Sequence, residues 1–229
     1  MLNVIRSNYL NLSLAALALA AGVPASAATV DYTTTASFAC STCAIFNNNS
    51  GNVTVVYGSG ANTATLVFTG SPNPTEVNSD AEFTTASYGT MTATYTGTGS
   101  VIDGTFKLMV QQSVPNLAPN SGILGTATLS GLVYDGKSTS YANFGVVDPS
   151  ISLGGPVVYE LDTSNKFGSN PAQYGYTIVS PSTGNPPGVT SFQGNIQTTP
   201  EPTFLTLTGV GFLAMAGFAV RRKRASAEV

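Results

Sequence analysis

The chain of 229 residues carries 8 lysines and arginines against 11 aspartates and glutamates, and it contains neither histidine nor tryptophan. Without histidine no Ser-His or Cys-His nucleophile pair can form. With charged residues at 8% and no basic stripe in the body of the chain, nucleic acid is not an expected partner.

Residues 1–27 read as a secretory signal peptide. Arg6 is the one cation of the first eight residues, and a Leu- and Ala-rich run follows over residues 10–21. Ala25-Ser26-Ala27 then places small residues at the spacing of a signal-peptidase site. The apolar run is short and Pro24 precedes the small residues, so cleavage after Ala27 is expected rather than retention as an anchor. The first cysteine, Cys40, lies far beyond the apolar run, which argues against a lipoprotein start.

The body, residues 28–197, is long enough for one domain with a sizeable core. Its cations are Lys107, Lys137 and Lys166, against Asp31, Glu76, Asp80, Glu82, Asp103, Asp135, Asp148, Glu160 and Asp162. Its sharpest local feature is Cys40-Ser41-Thr42-Cys43. A redox-active Cys-x-x-Cys needs a helix N-terminus to lower the thiol pKa, and Ala44-Ile45-Phe46-Asn47-Asn48-Asn49 promises none. Two cysteines without histidine cannot fill a four-ligand zinc site. In the oxidising compartment that export implies, Cys40 and Cys43 read as a disulfide closing a small turn.

Beyond this turn the pattern is β throughout. Thr105-Phe106-Lys107-Leu108-Met109-Val110 alternates as a half-buried strand does, with Phe106, Leu108 and Val110 on one face. Residues 53–57, 64–69, 90–96, 126–134, 157–161, 174–179 and 190–197 are further β-rich runs. Turn chemistry separates them at Gly58-Ser59-Gly60, Ser71-Pro72-Asn73-Pro74, Asp103-Gly104, Asp135-Gly136 and Gly184-Asn185-Pro186-Pro187. Many short strands with Gly- and Pro-rich turns predict an all-β fold, an antiparallel β-sandwich or jelly roll. The threonine excess suits exposed strand faces, and Thr198-Thr199 reads as a short tether after the last strand.

Chemistry in the body finds little support. Asp162-Thr163-Ser164 faintly resembles an aspartic-protease turn, but no second copy appears to share a proton. A glycosidase needs two carboxylates facing across a cleft, and nine carboxylates in one domain supply many accidental pairs. Asn47 to Asn52 and Asp148-Pro149-Ser150 offer the oxygen ligands calcium prefers, without EF-hand spacing. No catalytic residue, cofactor or metal site is assigned, and the body is not expected to be an enzyme.

The last segment, residues 198–229, is of another kind. Pro200-Glu201-Pro202 precedes an uncharged stretch that opens at Thr203 and closes at Val220, and Arg221-Arg222-Lys223-Arg224 follows at once. As a helix rising ~1.5 Å per residue, that stretch covers about 27 Å, close to the thickness of a bilayer core. Basic residues stay on the cytoplasmic side, so the four cations set the topology and put the body outside. The prolines fix φ and lack an N–H, so the tripeptide stays extended and presents Glu201 as its one charge.

Tripeptide, transmembrane helix and basic cluster, in this order and paired with a signal peptide, resemble the PEP-CTERM sorting signal of Gram-negative bacteria. The resemblance covers about the last thirty residues and is silent on the fold before them. It implies an exosortase, a membrane-embedded cysteine protease, as partner, with Pro200, Glu201 and Pro202 as the recognition and processing motif. It also implies a precursor held transiently in the inner membrane, then a cell-surface or matrix protein associated with exopolysaccharide and biofilm. A carbohydrate-binding module, marked by an exposed aromatic strip, is the alternative reading of the body, and a secreted hydrolase the third.

Overall fold

The computed structural model describes residues 29–71, 75–78, 84–116, 118–136, 140–154, 157–163, 174–182 and 186–198, and every helix or strand among them is a strand. In chain order these are β1 (Thr29–Ala39), β2 (Cys43–Phe46), β3 (Asn52–Ser59), β4 (Asn62–Thr69) and β5 (Thr75–Asn78). Next come β6 (Thr84–Thr96), β7 (Ser100–Val114), β8 (Ser121–Val133) and β9 (Ser140–Asn143). The last four are β10 (Ser150–Leu153), β11 (Val157–Leu161), β12 (Gly175–Ile178) and β13 (Gly188–Thr198).

They form two antiparallel sheets in a sandwich-like arrangement. The first has the order β12-β9-β8-β7-β1-β5 and the second β10-β11-β13-β6-β4-β3-β2. The residues 27–199 make one compact unit. Alternation along the strands decides which side chains meet between the sheets. Phe106, Leu108 and Val110 are buried on β7, as the sequence pattern predicts, and Val53, Val55 and Tyr57 on β3. Threonines take the partly exposed positions: Thr33 and Thr35 on β1, Thr54 on β3, and the registered pair Thr65 and Thr94 on β4 and β6.

Phe106 is the hub of the apolar core. Its ring lies 5.0 Å from Phe38 of β1, 5.6 Å from Phe68 of β4, 5.2 Å from Phe192 of β13 and 6.4 Å from Phe144. Both sheets therefore contribute to one ring cluster, which is what makes two half-buried sheets stable together. A second cluster is amphipathic, with Tyr32 5.9 Å from Tyr88 and 5.7 Å from Tyr159. A buried hydroxyl without a partner would be costly, and each of these phenols has one. Tyr32 donates to the Ser87 carbonyl at 2.9 Å, Tyr88 to the Asn195 carbonyl at 2.9 Å and Tyr159 to Gln112 Oε1 at 3.0 Å.

One sequence expectation is corrected here. Asp103-Gly104 is not a turn: β7 runs through it from Ser100 to Val114. Gly104 sits at φ +108°, and a Cβ there would run into the carbonyl of Ala39 at the end of β1. Asp103 and Gly104 pair with Ser130 and Leu129 of β8 in continuous register, and glycine serves the close approach of β1's last carbonyl.

Candidate functional site

The end of β13 is where the folded body meets Pro200-Glu201-Pro202 in sequence. β13 lies between β11 and β6. Its register against β11 runs Tyr159↔Ile196, Val158↔Gln197 and Val157↔Thr198, while β6 begins at Thr84, the partner of Ile196. Thr198 thus belongs to the strand and not to the expected Thr198-Thr199 tether, while Thr199 lies outside the described residues. Backbone pairing with Val157 is the reason.

Beside β13, side-chain and main-chain bonds tie β11 and the end of β10 to β7 and the connection after it. Gly154, following β10, donates its N–H to the Pro119 carbonyl at 2.8 Å. Gln112 of β7, fully buried, donates Nε2 to the Pro115 carbonyl at 2.6 Å while its Oε1 takes the Tyr159 hydroxyl. The Gln112 N–H also reaches the Asn120 carbonyl at 2.7 Å. Deeper in β13, a Cβ on Gly194 would collide with the Glu160 carbonyl, so glycine allows β11 and β13 to close up. Gln112 carries no signature in the sequence, because its role exists only once two sheets face each other.

Cys40 and Cys43 are joined in a disulfide with Cα atoms 5.8 Å apart. The bridge closes the short connection by which the chain leaves β1 in the first sheet and enters β2, the edge of the second. Asn48 helps fix the same crossover. Its Oδ1 accepts the Phe38 N–H at 2.8 Å and its Nδ2 donates to the Phe38 carbonyl at 3.0 Å, so the amide imitates a neighbouring strand. Asn47 and Asn49 adopt φ of 55° and 62°, and the Ala36 N–H reaches the Ser50 carbonyl at 2.9 Å. Asparagine tolerates that left-handed conformation better than most residues. The Asn-rich run is accounted for as turn and edge chemistry. Among the described residues no group of three or more His, Cys, Asp or Glu side chains could hold a metal ion.

A prediction follows for the bridge. Native protein made in an oxidising compartment should take up a thiol reagent at Cys40 and Cys43 only after reduction, read as an alkylation mass shift. Equal labelling before and after reduction would refute it. For so short a loop, Cys40→Ser with Cys43→Ser should lower stability by about 2 kcal/mol in the chain-entropy treatment, measured by urea denaturation.

The carboxylates of the body take structural roles where their bonds are defined. Asp148, at φ 42°, accepts the Thr163 N–H on Oδ1 at 2.8 Å, and its own N–H goes to Thr163 Oγ1 at 2.7 Å. Thr163 Oγ1 donates in turn to the Val146 carbonyl at 3.0 Å. The Asp162-Thr163 segment is therefore a clasp between two loops, and Ser164 lies outside the described residues. The clear pKa displacements belong to phenols. Burial pushes up Tyr57, Tyr88, Tyr159 and Tyr176, with the Asp103 charge adding to the effect at Tyr57. Tyr57 donates to the Asp103 carbonyl at 3.0 Å, and the Tyr176 hydroxyl lies against the carbonyls of Asp162 and Gln193. These phenols hold main chain and sheets together. Tyr95 and Tyr134, both half-buried, form an edge-on ring pair at 5.5 Å.

Ala25, Ala27, Pro200, Glu201, Pro202, Arg221, Arg222, Lys223 and Arg224 lie outside the described residues, as does the stretch 203–220. Among the described residues no helix is long and apolar enough to cross a membrane. The chain matches no protein-family model, no curated protein and no solved structure.

Proposed function

We propose that the protein is a non-enzymatic cell-surface or extracellular-matrix component of a Gram-negative bacterium, exported by its signal peptide and sorted by an exosortase. The observation that carries this reading is the order of the tail: Pro200-Glu201-Pro202, an uncharged stretch of bilayer length, then Arg221-Arg222-Lys223-Arg224. In this reading the tripeptide is recognised, residues 203–220 hold the precursor in the inner membrane as a transmembrane helix, and the four cations keep its end in the cytoplasm. The body is the delivered β-sandwich, structural or adhesive in a polysaccharide matrix. A cystine at Cys40 and Cys43 is compatible with an extracytoplasmic location. The uncharged strands β2, β3, β4, β6 and β13 suit contact with a neutral, hydrated polymer. A carbohydrate-binding module is the second reading, drawn from the half-buried Tyr95 and Tyr134 ring pair.

The test is replacement of the tripeptide by Pro200→Ala, Glu201→Ala and Pro202→Ala in a host that makes the processing enzyme. The variant should accumulate uncut in the inner membrane, read by fractionation and the mass of the product. Normal release of the variant would overturn the sorting role.

A further inference from the structure

We infer that the outer face of β4 and β6 is an ice-binding surface, a net of threonines that orders a layer of water and through it holds the molecule on an ice crystal. This goes beyond the sorting reading and does not depend on it. Register is the starting point. β4 and β6 pair without interruption as Thr63↔Thr96, Thr65↔Thr94, Val67↔Thr92 and Thr69↔Thr90. The residues between them, among them Leu66, Phe68, Met91 and Ala93, are buried in the core, so alternation turns all four pairs outward. Every position but one is threonine, and Val67 has the same branched shape. The β preference of threonine does not account for this. Under the same preference the outer face of the first sheet is mixed, with Val101, Asp103, Lys107 and Met109 along β7.

Such a net has fixed dimensions. Neighbouring strands lie about 4.8 Å apart and alternate residues about 6.7 Å, so the four rungs cover roughly 20 Å. A repeat of this size is close to the spacing of oxygen atoms on a prism face of ordinary ice. Adjacent strands turn by only about 20–25° relative to each other, which keeps a net two columns wide nearly flat. The register shift of β6 lies beyond Thr90, opposite Phe192 and Gln193 of β13. Branching at Cβ restricts each side chain to few rotamers, so methyls and hydroxyls keep their places as water is ordered over them. The hydroxyls are also free to bond that water. Thr63 and Thr96 share a bond at 2.8 Å at one end of the ladder, whereas Thr65, Thr69, Thr90, Thr92 and Thr94 have no side-chain partner among the described residues. No charge interrupts the face, since β3 and β13 on either side are uncharged as well. A charged group would draw water into its own shell and break the lattice. The aromatic ring or carboxylate that would mark a sugar site is missing from all four pairs, so ordered water is favoured over a polysaccharide chain.

Ice-affinity uptake tests this with the full chain, kept in dilute mild detergent. Ice is grown slowly into the stirred solution, and the protein in the ice is compared with that left in the liquid. The parent should be enriched in the ice, while an ordinary globular protein added as tracer is excluded. Thr92→Tyr with Thr94→Tyr sets bulky rings on adjacent rungs and should reduce uptake roughly tenfold. Thr126→Tyr, on the exposed face of β8 in the first sheet, should leave uptake unchanged. Should the tyrosine pair lower the urea midpoint, Thr65→Ser with Thr94→Ser takes its place. That pair strips one rung of its methyls, and uptake should fall several-fold with the midpoint kept. Exclusion of the parent from ice would overturn the inference, and so would parental uptake by the folded tyrosine or serine pair. An equal loss at Thr126→Tyr would place the surface elsewhere and overturn it too. Retention of the parent on neutral dextran, lost in the same pairs while ice excludes it, would assign the face to a polymer instead.

Discussion

Phe106→Ala should lower the stability of the body by about 3–5 kcal/mol, the range for truncating a buried aromatic. Four rings lie within 6.4 Å of Phe106, Phe68 and Phe192 from the second sheet, Phe38 from the first and Phe144 just past β9, and the side chain is fully buried. The cavity left behind is bounded by Phe38, Phe68, Phe144 and Phe192, which sit on four different segments and cannot collapse together. Single domains are stable by only about 5–15 kcal/mol, so much of the margin goes. Urea denaturation of the purified body reports the loss, with Lys107→Ala on the exposed side of β7 as control, expected within about 0.5 kcal/mol. A loss below about 1 kcal/mol at Phe106 would show that the ring cluster is not the centre of the core.

Alkaline solution should unfold the body well before any main-chain chemistry begins. Tyr57, Tyr88, Tyr159 and Tyr176 all have folded-state pKa values raised above 10.0, chiefly by burial. In the unfolded chain a phenol ionises near pH 10. Folding therefore withholds ionisation: the contribution of each phenol is intact below pH ~10 and is lost as pH climbs towards its folded pKa. Each phenol so withheld lowers stability by up to about 1.4 kcal/mol per pH unit, less where solvent reaches the ring. The urea midpoint should be flat from pH 7 to 9 and fall steeply above 10. Phenolate absorbance should rise in the same transition. An unchanged midpoint at pH 11 would mean that these hydroxyls reach solvent in the native state.

How far the sequence foretells this depends on how local each feature is. The alternation of Phe106, Leu108 and Val110 is local, and the strand is there with that face inward. β2, β9 and β10 are four residues long, so each offers two inward positions, too few for a period to emerge. β1 is long, but Thr34 and Ala36 sit among its inward residues, and a small or polar side chain flattens the contrast on which a period-2 reading relies. Asp103-Gly104 misleads because the glycine that suits a hairpin turn is here used inside a strand, at φ +108° beside the Ala39 carbonyl. In the candidate site, the Cys-x-x-Cys spacing is legible since its residues are contiguous, and the bridge is there. Gln112 and Asn48 are not. Their amides matter only against Tyr159 and Phe38, partners that chain folding alone brings near.

The central place of β13 has a consequence for how the fold comes into being. In the second sheet β10 and β11 lie on one side of it and β6, β4, β3 and β2 on the other. It is also the last described strand to leave a ribosome or a translocation channel. Until residues 188–198 emerge, this sheet is two fragments with bare facing edges, the state in which β proteins stick to one another. Pairings so distant in sequence also form slowly. A nascent chain halted short of Gly188 is thus a pair of half-sheets that needs a holding chaperone, and β13 is the keystone set last.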